Sequence, residues 1–270
     1  MRELIDQFME NGLTRREFVQ AMTALGVSAA GTAATIRSAE AAVSGSIPGA
    51  LATGRKVTGT GGDLMVEQMK AAGVKYLFTN PGSFEVGFFD SFLDQPCQLI
   101  MGLHEGIVIS MADGYHKVTR DPAFVNVHVI AGTAQSAGQL YNSSRDGSAL
   151  VVTAGLLDNE RGDDNVLLGP RPGFDQKEVC RQFTKISWES HDAKGLPTML
   201  RRAFKVATTD PGGPVYLAIP SHVLEAKDVS STVYDRDAFM ISGDIPPDKA
   251  DVDAVARLLL DAKSPALFVG

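Results

Sequence analysis

The 270-residue sequence predicts an α/β fold built as three layers, a parallel sheet with helices on both faces. Two observations lead there. Between Lys75 and Ile219, short β-branched or aromatic runs alternate with helix-length segments, the pattern of strands joined by helical crossovers. The composition is that of an ordinary globular protein, 44% hydrophobic and 21% charged, and the length suits one large domain or one domain plus part of a second. A net charge of −7 and the lack of any basic stripe exclude a nucleic-acid binder.

Taken in order, the chain opens with Thr14-Arg15-Arg16-Glu17-Phe18-Val19, a mildly apolar Ala- and Gly-rich run from Ala21 to Ile36, and the small-x-small site Ala39-Glu40-Ala41. This order resembles a twin-arginine export signal over residues 1–41, an address read by a receptor rather than a membrane anchor. The run is too short and too weakly apolar for a good membrane span. An amphipathic helix with a chance Arg-Arg pair is the alternative, and the acids Glu3, Asp6 and Glu10 count toward it. Export implies a periplasmic location; otherwise the protein is cytoplasmic. Residues 42–57, small and Gly-punctuated, read as a linker.

Thr58-Gly59-Thr60-Gly61-Gly62-Asp63 lacks the phosphate-loop pattern and no clear strand precedes it, so it reads as the start of a helix over Leu64–Ala72, capped by Thr60 or Asp63. The alternation follows: strand Lys75–Thr79, turn Asn80-Pro81-Gly82-Ser83, helix Phe84–Leu93, strand Gln98–Gly102, helix Glu105–Val118, strand Ala123–Val129, helix Ala134–Ser143 and strand Ala149–Thr153. A polar loop, Leu156–Arg171, precedes helix Leu196–Thr208 and strand Pro214–Ile219. The first domain spans 58–225 and a polar linker spans 226–250. Helix Asp251–Ala262 and an apolar strand Pro265–Gly270 read as the truncated start of a second α/β domain, because a lone strand leaves its backbone groups unpaired. Cys97 and Cys180 are far apart without metal-ligand spacing; they are buried thiols or a single bridge.

In open parallel sheets ligands sit beyond the carboxyl ends of the strands. Three successive strand ends carry unusual residues: Asn80-Pro81-Gly82-Ser83, Glu105, and His128 with Ala131-Gly132-Thr133. Glu105 stands among Leu103, Ile107, Val108 and Met111, where a carboxyl group is expected to hold its proton more tightly and to exchange it with a ring nitrogen. An acid in the first turn of a helix is also favoured for its own sake. Asn-Pro-Gly-Ser is commonly a plain turn and a strand-end His commonly structural, so the grouping, not any one residue, makes the site.

Asn80-Pro81-Gly82-Ser83, Glu105 with Ala112-Asp113-Gly114-Tyr115, Pro122–His128, Ala131-Gly132-Thr133, Leu150–Gly155 and Gly213–Pro220 together resemble the N-terminal, pyrimidine-binding domain of thiamine diphosphate-dependent 2-keto acid enzymes. Within that family the likeness is to the benzoylformate decarboxylase branch, and it covers residues 60–225 plus the start of the middle domain at 251–270. The resemblance implies the thiamine diphosphate-binding fold. It implies that Glu105 hydrogen-bonds the cofactor pyrimidine and drives its imino tautomer, that Ser83 contacts the substrate carboxylate, and that His128 exchanges protons with the intermediates. It places Asn80, Pro81, Gly82, Gly132 and Thr133 at the cofactor, the last two in a lining loop.

Acetolactate synthases usually carry Ser-Gly-Pro-Gly where this chain has Ala131-Gly132-Thr133-Ala134, which favours the decarboxylase branch. The charged loop Asp158–Arg171 has no obvious match. The family binds Mg2+ and diphosphate through a Gly-Asp-Gly…Asn motif in its C-terminal domain; no Gly-Asp-Gly occurs here, and no metal ligand is assigned. The resemblance thus implies a lyase, a decarboxylase or carboligase acting on a 2-keto acid with thiamine diphosphate and Mg2+. The full-length enzyme is expected to be a homodimer or homotetramer, and residues 1–270 alone inactive. Acetolactate synthase-like or 2-keto acid oxidase activity is the chemical alternative, and a non-catalytic α/β binding module the alternative of another class.

Overall fold

The computed structural model describes residues 13–27, 54–93, 95–157, 168–171, 173–240 and 247–268, with residues 4, 7, 8 and 32. Helix α1 (Arg15–Ala24) opens with a capping box: the Thr14 N–H donates to Glu17 Oε2 (2.8 Å) and the Glu17 N–H to Thr14 Oγ1 (3.3 Å). Phe18 and Met22 are buried with Leu4, Phe8, Leu13 and Val27 around them, the Phe8 ring stacked 4.5 Å from Phe18. The Ala39-Glu40-Ala41 site lies outside the described residues, as does most of Asp158–Arg171.

The main sheet contains β2 (Tyr76–Asn80), β3 (Gln98–Met101), β4 (Ala123–Val127), β5 (Leu150–Leu156), β6 (Ile186–Glu189) and β7 (Val215–Pro220), in the order β3-β2-β4-β5-β7-β6, every neighbouring pair parallel. Both faces are apolar, so the strands alternate between two cores rather than between core and solvent. Leu77, Phe124, Val151 and Leu217 meet α2 (Gly61–Ala71), α3 (Val86–Phe92), α6 (Leu196–Thr208) and α7 (Ser221–Glu225). Phe78, Val125, Val152 and Tyr216 face the other way, toward α4 (Glu105–Thr119) and α5 (Val129–Arg145). This is the expected three-layer α/β architecture.

Four expectations are corrected. The presumed linkers contain strands: β1 (Arg55–Gly59) and β8 (Val229–Val233) pair antiparallel, Arg55 opposite Val233 and Gly59 opposite Val229, as a separate two-stranded sheet. Their polar, half-exposed sequences give no apolar signal; the ribbon is held from outside, where Gln68 brackets the Tyr234 backbone (2.9 and 3.3 Å) and the Arg201 guanidinium lies 4.2 Å over the Tyr234 ring. Edge strand β6, half-buried throughout, was not expected. Helix α5 starts at Val129, so Gly132 and Thr133 lie in a helix and not in a loop. Residues 265–268 after α8 (Lys249–Asp261) form no strand, and positions 269 and 270 are outside the described residues.

Both cysteines are free and buried, which pushes the Cys97 thiol up to about 11 and the Cys180 thiol to about 12. Thr60 and Asp63 together cap α2 in a reciprocal box (2.8 and 3.1 Å). The glycines of this start serve helix packing: a Cβ on Gly62 would collide with the Gly87 carbonyl oxygen of α3 and sit 2.7 Å from Ser91 Oγ. Gly62→Ala is therefore expected to destabilise the domain by about 1–3 kcal/mol, read as a lower urea midpoint at unchanged slope.

Candidate active site

The carboxyl ends of β2, β4 and β5 converge on one buried acid. The chain leaves β2 at Asn80, turns through Pro81-Gly82, and enters a 3-10 segment, Ser83–Glu85. Glu85 is fully buried, and its carboxylate accepts three hydrogen bonds: Oε1 from the Val129 N–H (3.1 Å) and the Gly155 N–H (2.8 Å), Oε2 from His128 Nδ1 (2.8 Å). A carboxylate is an acceptor only, so Nδ1 of His128 carries its hydrogen there. Nε2 has no hydrogen-bond partner among the described residues. Two glycines make the arrangement possible. A Cβ on Gly155 would strike the Glu85 carboxylate, and one on Gly82 would strike the His128 ring.

Val129, the first residue of α5, has φ of 37°, a conformation a β-branched residue adopts at a cost of about 1–3 kcal/mol. It persists because the Glu85 carboxylate pins its N–H and its side chain is buried. His128 is the N-cap of the same helix, its side chain one-fifth exposed, with the Phe84 ring 6.1 Å away.

Glu105 begins α4, half-buried. Its Oε1 lies where a Cβ on Gly132 would stand 3.0 Å away, and its carboxylate has no hydrogen bond or ion pair among the described residues. The apolar enclosure expected around it is not closed by this chain, since Leu103 is 93% and Ile107 53% exposed while Val108 is buried. Ser83 is exposed and lines a groove of about 550 Å³ with Pro81, Gly82, Val86, Phe89, Asp90 and Leu93. Glu105 thus lies against Gly132 in the first turn of α5, the helix that His128 caps, with Gly82 against the His128 ring.

Thr133 is not at the rim. It is fully buried; its hydroxyl donates to the Val129 carbonyl oxygen (2.7 Å) and bonds the Tyr216 hydroxyl (2.7 Å), which also takes the Gln176 amide N–H (2.9 Å). The helical course of 129–145 turns its side chain into the core, so its expected cofactor contact is withdrawn. Sequence reasoning missed Glu85, hidden in what read as an ordinary first helical turn. The available signal was slight, an acid two residues after Ser83 at a strand end.

The chemistry of these residues fits a thiamine-type aminopyrimidine: Glu105 offers a carboxylate without a partner among the described residues, a match for a ring nitrogen, and bare Gly132 lets that carboxylate lie against α5. Residues 59–178 match the thiamine pyrophosphate enzyme, N-terminal TPP binding domain. Among curated proteins, the chain is similar to benzoylformate decarboxylase of Pseudomonas aeruginosa, 33% identical over 76% of this chain and 38% of that protein. It is also similar to the mitochondrial acetolactate synthase of Schizosaccharomyces pombe, 28% identical over 78% of this chain and 32% of that protein. Among solved structures, a thiamine diphosphate-dependent 4-hydroxybenzoylformate decarboxylase of Rhodococcus jostii RHA1 superposes with a TM-score of 0.63 at 28% identity, covering 76% of this chain and 38% of that one. Benzoylformate decarboxylase of Polynucleobacter necessarius does so with 0.65 at 26% identity, covering 76% and 37%. The chain therefore spans under two-fifths of the length of these relatives. No helix among the described residues is long and apolar enough to cross a membrane.

Glu85→Ala would leave the Val129 and Gly155 N–H groups buried without acceptors, at about 1–3 kcal/mol each. We expect Glu85→Ala to lower the thermal midpoint and Glu85→Asp, which keeps the charge, to restore part of it. A melting curve unchanged in Glu85→Ala would contradict this account of the rim.

Proposed function

We propose that this chain supplies the pyrimidine-binding half of a thiamine diphosphate-dependent 2-keto acid decarboxylase or carboligase of the benzoylformate decarboxylase type. The observation that carries the reading is Glu105, a carboxylate at the start of α4 without a partner among the described residues, against a bare Gly132, one helical turn from His128. When bound, the cofactor supplies a thiazolium able to stabilise the carbanion left by loss of carbon dioxide. Glu105 would hold the pyrimidine by a hydrogen bond to a ring nitrogen, and its carboxylate is the group on this chain able to hold or release a proton there. Asn80, Pro81, Gly82 and Gly132 would border the ring. Ser83, on the exposed turn beside His128, binds the substrate carboxylate, and His128, with Nδ1 held by Glu85, presents Nε2 for proton transfer to the reacting carbon or oxygen.

Diphosphate and Mg2+ would be held by groups other than those named here, since the sequence contains no Gly-Asp-Gly. Exposed Leu103 and Ile107 beside Glu105 are the residues a second copy would cover in a homodimer or homotetramer. The acetolactate synthase reading is the second choice; it is supported by the 28% identity to the Schizosaccharomyces pombe enzyme, and disfavoured by Ala131-Gly132-Thr133 at the start of α5.

Glu105→Gln in the full-length protein should cut decarboxylation of an aryl 2-keto acid about 10²–10⁴-fold with the fold intact; a wild-type rate would leave Glu105 as a helix-terminal acid only. Residues 1–270 alone should bind thiamine diphosphate with Mg2+ weakly by calorimetry and show no turnover. We further propose twin-arginine export, supported by the Arg15-Arg16 pair set directly after the Thr14 cap. Arg15→Lys with Arg16→Lys should retain the protein in the cytoplasm, and fractionation showing undiminished periplasmic protein would refute this.

A further inference from the structure

His104 takes no part in the chemistry proposed above, yet it builds the joint on which Glu105 sits. It is the N-cap of α4, in extended backbone (φ −159°, ψ 140°), and its Nδ1 accepts the Gly106 N–H at 3.0 Å. Only an unprotonated ring nitrogen accepts, so the hydrogen is on Nε2, which donates to Gln135 Oε1 of α5 at 3.1 Å. The ring fits between the two helices because Gly106 is bare: a Cβ there would lie 3.2 Å from Nδ1 and 3.4 Å from the Gln135 carbonyl oxygen. Ser, Thr, Asp and Asn are the usual caps; none is long enough to cap one helix and also bond a side chain on the next. Gln135 lies three residues beyond Gly132, the residue against which Glu105 rests.

We infer that His104, as its Nε2–H tautomer, is the positioning residue for Glu105. The cap fixes the first turn of α4, and the bond to Gln135 fixes that turn against α5, so that the carboxylate lands beside Gly132. This deepens the proposed function and rests on Glu105 being the pyrimidine-facing acid. A second proton, on Nδ1, sets donor against donor at the Gly106 N–H and places a cation at the positive end of a helix. The joint therefore forms with the neutral imidazole and opens when the ring carries a second proton. The ionisable groups facing this corner are Glu105 on α4 and the Glu85–His128 pair at the start of α5; α5 carries no charged residue before Arg145, and β2 and β4 carry none.

Two measurements test this. In the chain of residues 1–270, imidazole ¹⁵N shifts should show Nδ1 unprotonated and Nε2 protonated above neutral pH. Gly106 amide protection, corrected for intrinsic exchange, should fall as the ring protonates. His104→Ala should lower that protection about fivefold at every neutral pH, and His104→Asn, a cap that does not titrate, should restore it and abolish its pH dependence. In the full-length protein loaded with thiamine diphosphate and Mg2+, the acid limb of kcat/KM should move to lower pH in His104→Asn. The opposite tautomer, or Gly106 protection unaltered by His104→Ala, overturns the inference. An unmoved acid limb in His104→Asn also overturns it, reducing His104 to a cap. Failure of the proposed function shows separately, as wild-type turnover in Glu105→Gln.

Discussion

Hydrogen-bond donors must surround a carboxylate sealed in the rim of a parallel sheet, and at Glu85 they come from three directions. The His128 ring arrives from the end of β4, the Val129 N–H from the start of α5, and the Gly155 N–H from within β5. Glu85 itself hangs from the turn after β2. One side chain therefore sets the spacing of three neighbouring strand ends. The Asn80–Ser83 turn, the His128 imidazole and the first turn of α5 take their positions from it. The strained φ at Val129 is the visible cost of that convergence.

Behind this acid lies a second buried polar layer. Gln176 donates to the Gly155 carbonyl oxygen (2.8 Å) and to the Tyr216 hydroxyl, and Tyr216 bonds Thr133. Glu85 and Gln176 thus hold the two backbone groups of Gly155, one each, and tie β5 and β7 to α5. Burial and the Cys180 thiol nearby push the Tyr216 hydroxyl well above the ordinary phenol range, outweighing its hydrogen bonds to Thr133 and Gln176, so it serves as a neutral donor and acceptor. Thr133 belongs to this layer, which explains why a residue one position from Gly132 has a wholly different role.

The corrections at β1, β8 and Glu85 share one cause, contact between segments distant in sequence. β1 and β8 look like polar linkers because their partners are each other, 170 residues apart, and not a core. β6 lies at an edge with half-buried side chains, so neither of its faces writes a clear period into the sequence. Glu85 reads as a surface acid in a first helical turn until the fold brings Gly155 and His128 around it. Apolar cover for Glu105 was expected from its neighbours in sequence, but Leu103, ahead of the α4 cap, and Ile107, in the first turn of α4, are both exposed.

By itself the sequence determined the strand–helix alternation from β2 to β5, the parallel three-layer class, the capped start of α2 and the strand ends that carry Ser83, Glu105 and His128. These depend on local terms: hydrophobic period, caps, and the glycine and proline that break each run. Tertiary structure decided which acid is buried, that Thr133 turns inward, and that Glu105 meets Gly132. Those outcomes depend on contacts between residues 27 to 83 positions apart, which no local pattern encodes.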